Sequence, residues 1–160
     1  MSKDHQLKAL TPCAGRCSTV FGDQVCRGCR RFDHEVIRWN NYTEEQHLAV
    51  WKRLDEQLDR ILVPMLVHAD ILQVEQFLDR KKVRLPANAT LGRKLYHALK
   101  LCEKNNHLAD ESGLGVKVSA VRAVWDAFEA KVLKLAEASY ELAWIRANSF
   151  GKKLIDMIEE

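Results

Sequence analysis

The chain has 160 residues, 47% hydrophobic and 29% charged, with only seven glycines and three prolines, a composition that supports a buried core and excludes a disordered chain. No apolar run reaches the roughly 20 residues needed to span a bilayer, and the opening MSKDHQLKAL lacks a signal-peptide core, so a cytoplasmic protein is expected. The net charge of +3 sits in residues 1–42, where seven basic residues stand against four acidic ones, while the rest of the chain is balanced.

Residues 1–10 look like a loose leader. Residues 11–32 carry four of the five cysteines, with Gly15, Gly22 and Gly28 between them, and have no helical period. From Asp33 the pattern turns helical, with Asp33 as cap and Val36, Ile37 and Trp39 as apolar members. Asn40 and Asn41 suit its end. Thr43-Glu44-Glu45-Gln46 is a capping box. After it Leu48, Trp51, Leu54, Leu58, Ile61 and Leu62 recur every three or four residues, the mark of an amphipathic helix. Pro64 kinks that helix or opens the next. Leu66, Ala69, Leu72 and Phe77 continue the pattern toward Asp79. Beyond Pro86, Asn88 or Thr90 can cap a helix bearing Leu91, Leu95, Leu99 and Cys102. Asp110–Gly115 reads as a turn. From Ser119 a long stripe of Val121, Val124, Trp125, Phe128, Val132, Leu135 and Leu142 follows. Asn148-Ser149 is expected to interrupt it, leaving Phe150, Leu154, Ile155 and Ile158 on a last short segment.

The cysteine spacing is Cys13-x3-Cys17-x8-Cys26-x2-Cys29. A cytoplasmic chain keeps thiols reduced, so clustered cysteines here read as metal ligands rather than disulfides. Gly28 can take a positive φ and turn both sulfurs of the Cys26–Cys29 pair toward one ion. Gly22-Asp23 is a turn signal between the two pairs. Four thiolates suit tetrahedral zinc, slightly favoured, and equally the ligand set of an iron–sulfur cluster. His5 and His34 flank a shell that four cysteines already fill. With every position a thiolate, no open site for a hydrolytic water is implied.

Thr11-Pro12-Cys13-x3-Cys17, Cys26-x-Gly28-Cys29-x-Arg31, Glu35-Val36-x2-Trp39, Thr43-x2-Gln46 and Val50-Trp51-x-Arg53-Leu54 together resemble the bacterial domain-of-unknown-function family 1289. The resemblance covers residues 11–54. Members are often described as predicted iron–sulfur proteins, so it implies a metal centre at the cysteines and no particular activity. Phe32 stands where many members have a small hydroxyl residue, which passes any capping role to Asp33.

Gly28, Arg31, Glu35 and Trp39 are the expected supports of the cysteine loop. Arg31 and Glu35, four apart, can pair along the first helix. Trp39 and Trp51 are expected to form a small core beneath it, and Cys102 to be a core thiol. Arg16, Arg27 and Arg30 near the cysteines, with Arg80, Lys81, Lys82, Arg84, Arg93 and Lys94 in a stretch without acidic residues, are candidates for facing a protein or nucleic-acid partner. The alternative for that stretch is a solvated face.

The expected architecture is mainly α: a small four-Cys metal knuckle with two short helices (residues 1–59), then an antiparallel helical bundle (60–160). The expected function is a non-enzymatic metal-binding adaptor that presents its basic knuckle and bundle to a partner, with an iron–sulfur redox or electron-transfer protein as the alternative. No membrane association and no small-molecule substrate are implied.

Overall fold

The structure is a computed structural model that describes residues 11–15 and 17–158. The leader, with His5, and Arg16 of the basic cluster lie outside the described residues. The fold is mainly helical: the described residues form six α-helices and no strand. None of these helices is long and apolar enough to cross a membrane.

Helix α1 (Asp33–Arg38) passes into a 3-10 turn at Trp39–Asn41. Helix α2 (Glu44–Met65) starts at the capping box read from the sequence. The Thr43 amide donates to Gln46 Oε1 at 2.8 Å, and the Gln46 amide returns a bond to Thr43 Oγ1 at 3.3 Å. Pro64 lies inside the last turn of α2, which ends with the Leu66 amide bonded to the Leu62 carbonyl. Helix α2 therefore runs without a break through residues 59 and 60. Helix α3 (Ile71–Arg80) is capped by Asp70, whose Oδ1 accepts the Gln73 amide at 3.1 Å. Helix α4 (Leu91–Lys104) is capped by Thr90, and α5 (Ala109–Ser112) is a single turn closed by Gly113 at φ 78°.

Helix α6 (Val121–Ile158) is 38 residues long and runs straight through Asn148-Ser149. The interruption expected there does not occur. Asn and Ser cost a helix only a few tenths of a kcal/mol each, and neither removes a backbone donor as proline would.

The core forms where α2, α3, α4 and α6 bring their apolar stripes together. Leu58 and Leu62 from α2, Val74 and Phe77 from α3, Leu95, Leu99 and Cys102 from α4, and Trp125, Phe128 and Val132 from α6 are all buried in it. Full burial of each large side chain is worth about 2 kcal/mol. Cys102 is fully buried, as a core thiol should be, and burial pushes its pKa up. Helices α2 and α4 touch at Gly92, whose amide donates to Asp59 Oδ1 at 2.7 Å.

Candidate metal centre

Residues 24–33 fold by backbone hydrogen bonds. The Cys26 amide donates to the Arg31 carbonyl at 2.9 Å, the Arg30 amide to the Cys26 carbonyl at 2.7 Å, and the Asp33 amide to the Gln24 carbonyl at 2.9 Å. Val25 and Phe32 face each other as an isolated antiparallel bridge. The left-handed residue that closes this turn is Arg30, at φ 65°, two positions after the glycine expected to play that part. Gly28 contributes through its peptide groups: its amide donates to the Cys26 sulfur, and its carbonyl accepts Arg30 Nη1 at 3.0 Å. On the other side of the loop Gly22, at φ 96°, donates its amide to the Thr19 carbonyl, the turn that Gly22-Asp23 signalled.

Cys26 and Cys29 are buried side by side, 2% and 3% exposed, with a hydrogen bond between their sulfurs. The Cys26 sulfur also accepts the amides of Cys29, Ser18 and Gly28. The Cys29 sulfur accepts Arg31 Nε at 3.3 Å and the Arg31 amide. The Cys29 thiol and then the amides hold Cys26 down at about 4 in spite of its burial. Cys29 keeps the shared proton, and that bond together with burial pushes its pKa far up. Cys17, half-buried, lies 3.0 Å from Thr19 Oγ1, and the exposed Cys13 accepts the Gly15 amide at 3.4 Å.

Amide and guanidinium bonds to sulfur are the environment that supports thiolates and tunes sulfur-ligated metals, so this donor set suits a soft or borderline ion. Two of the four cysteines are brought together. Among the described residues no three Cys, His, Asp or Glu side chains are gathered as ligands round one ion.

The supports differ from those expected. Arg31 precedes α1 and does not reach Glu35. Its guanidinium lies 4.9 Å from the Trp39 ring while its Nε serves Cys29. Glu35 instead accepts the Phe32 amide at 2.8 Å and is held by Arg53 of α2, through Nη1 to Oε2 at 2.7 Å and Nη2 to Oε1. The start of α1 is therefore capped from Glu35, and Asp33 is its first helical residue. Trp39 packs on His47, with ring centroids 4.2 Å apart, and Trp51 lies against Arg93. Neither forms the floor of the cysteine segment. That floor is Val25 and Phe32 on Ala136, flanked by Leu133 and Tyr140 of α6.

Cys26, Gly28, Cys29 and Arg31 thus act on one another, and the Glu35–Arg53 pair holds the Phe32 amide that follows them, all in a single stretch of chain. Residues 11–58 match the family described as protein of unknown function (DUF1289). Nothing matches among curated proteins or among solved structures. The DUF1289 segment ends inside α2, and its floor on α6 lies outside the match.

The basic residues separate into two groups. Arg30 and Arg93, expected among the partner-facing cations, are buried, at 3% and 4% exposed. The Arg30 guanidinium sits 5.2 Å from the Tyr96 ring and 5.9 Å from the Phe128 ring, which fastens the DUF1289 segment to the helical core. Arg93 Nε donates to Asp55 Oδ1 at 2.7 Å. Lys94 pairs with Glu75 at 2.8 Å and Lys81 with Glu111 at 3.1 Å, and Arg80 donates to the Glu111 carbonyl. Lys82 and Arg84 are exposed. Arg27 is exposed beside Asp23, on the same segment as the exposed Val20, Phe21 and Ile37.

Missed from the sequence were Arg53 as the partner of Glu35, Phe32 as an anchor, and the α6 residues under the loop. The one available signal for the last was that Leu133, Ala136 and Tyr140 fall at spacings of three and four.

Proposed function

We propose that the DUF1289 segment is a four-cysteine metal knuckle, with Cys13, Cys17, Cys26 and Cys29 as ligands of one centre, zinc in preference. The protein then acts as a non-enzymatic adaptor that offers this knuckle to a partner protein. The observation that carries the reading is the set of three amides, from Ser18, Gly28 and Cys29, directed at the Cys26 sulfur. Such donors lower the cost of holding a thiolate out of water. The centre would supply folding free energy to a segment whose own apolar contacts are few. A partner surface is supported by Phe21, 88% exposed, Val20, 74%, and Ile37, 80%, on a segment that also carries exposed Arg27.

The test is elemental analysis with a visible spectrum of anaerobically purified protein. One zinc per chain and a colourless sample are expected. A brown sample that bleaches on reduction identifies an iron–sulfur centre, the alternative consistent with the same thiolate set. Cys26→Ser should lose the metal while the helical circular dichroism of α2 to α6 persists. Unchanged metal content in that variant rejects the ligand assignment. Retention on nucleic acid that falls steeply with salt would replace the protein partner by a nucleic acid.

A further inference from the structure

Helix α6 extends well past the body it helps to build. At 38 residues it is about 57 Å long. Among the side chains described, its last buried one is Ala136, and residues 141–153 and 156–158 are all exposed. That projecting arm carries Trp144 at 62% exposure and Phe150, Met157 and Ile158 at 76% each. Most helical stability in proteins comes from packing an apolar face, which the exposed arm lacks, and monomers rarely leave so much apolar surface on one element.

One stripe of apolar positions follows a heptad, while the exposed Leu142 and Ile145 lie off it. Leu133, Ala136 and Tyr140, which seat Val25 and Phe32, are continued at alternating steps of three and four by Ala143, Ala147 and Phe150, and Met157 stands seven further on. The arm thus prolongs the stripe on which the DUF1289 segment is already packed. Phe32 and Tyr140, at the junction, have ring centroids 5.1 Å apart.

We propose that this arm pairs with the same arm of a second copy as an antiparallel two-helix seam, with Ala147 of each copy against Phe150 of the other. The stripe is self-complementary in that register. The layer with Ala147 against Phe150 occurs twice about the two-fold axis, and small against large is how such layers fill. On one flank Trp144 of one copy falls opposite Gly151 of the other. Gly151 lies mid-helix, where glycine costs about 1 kcal/mol relative to alanine. A Cβ added there would meet no atom within 4 Å in the single chain, so nothing in one copy asks for a glycine. Room for the indole of a second copy does. The other flank sets Arg146 opposite Lys153, so association strengthens with added salt. Eight large apolar side chains across the pair remove on the order of 1,000 Å² from water, the size a specific interface needs.

Sedimentation velocity of the full chain across concentration tests this. A reversible dimer is expected, with dissociation in the micromolar range. Phe150→Glu should raise the dissociation constant by roughly 100-fold or more with the helical circular dichroism unchanged. The register is tested by exchanging Trp144 and Gly151. Gly151→Trp alone should abolish pairing, because two indoles then meet on one flank, and the double variant Trp144→Gly with Gly151→Trp should restore it. A chain that stays monomeric at about 200 µM overturns the proposal. So does a dimer indifferent to Phe150→Glu, or one that tolerates Gly151→Trp alone.

Discussion

Arg53 of α2 holds both carboxylate oxygens of Glu35 while its guanidinium lies 3.9 Å from the centre of the Phe32 ring. One arginine therefore joins α1, the end of the cysteine turn and α2. Glu35 is almost completely buried and also accepts the Phe32 amide, so its charge has no solvent to fall back on. Removing Arg53 leaves that charge unpaired. Arg53→Met should cost about 3 kcal/mol, and Arg53→Lys about 1–2 kcal/mol, because lysine supplies neither the two-pronged bond nor the flat face against Phe32. In a double-mutant cycle by urea denaturation, Glu35→Gln with Arg53→Met should be less destabilised than the sum of the single changes. Simple additivity would mean the two side chains do not depend on each other.

Gly92 marks the closest approach of α2 and α4. A Cβ at this position would stand 2.6 Å from Asp59 Cα and nearer still to the Asp59 amide nitrogen, and neither backbone atom can swing aside. Gly92→Ala should therefore destabilise by about 2–3 kcal/mol, although alanine is the better helix former. The thermal midpoint measures it. A midpoint equal to or above that of the wild type would show that the two helices can separate at little cost.

What was legible in the sequence was local. Thr43 with Gln46 and Thr90 with Arg93 act within one turn of chain, and both caps appear where the residue types place them. The apolar stripes of α2 and α4 likewise follow from their period. The four cysteines stood out by type and spacing alone. Of their supports, Gly28 and Arg31 act within three residues and were named from the sequence, whereas the long-range ones were not: Glu35 meets Arg53 eighteen residues away, and Phe32 meets Tyr140 more than a hundred away. Arg30 shows the same limit. A basic residue in a basic loop reads as surface, and only the packing of Tyr96 and Phe128 around its guanidinium makes burial tolerable.

Arg30 also separates backbone from side chain. Its φ of 65° is the left-handed region, which costs a non-glycine residue about 1–2 kcal/mol. Arg30→Gly releases that strain and loses the contacts with the two rings, whereas Arg30→Ala loses the contacts and keeps the strain. Both variants should be less stable than the wild type, and Arg30→Ala should be the worse by about 1 kcal/mol. Amide exchange across residues 24–33 locates the effect, with faster exchange expected there than in α4. Equal stability of the two variants would place the turn's strain elsewhere.

His97 supplies a pH dependence of stability. Its half-buried ring lies on α4 against Tyr96, with centroids 5.2 Å apart, and Arg93 and Lys100 lie close enough to oppose a further positive charge. Burial first, and these two cations second, lower its pKa from 6.5 to about 4. The folded chain therefore keeps the imidazole neutral at pH values where the unfolded chain already binds a proton. The sign follows from linkage: the contribution is complete above about pH 6.5 and is lost as the pH falls from there toward 4. Between pH 7 and pH 5 the loss amounts to about 2 kcal/mol. His97→Gln carries no proton to bind, so its unfolding free energy should change less over the same interval, by about that amount. Denaturant titrations of both proteins at pH 7, 6 and 5 give the comparison, and parallel declines in the two would assign the pH dependence to other groups.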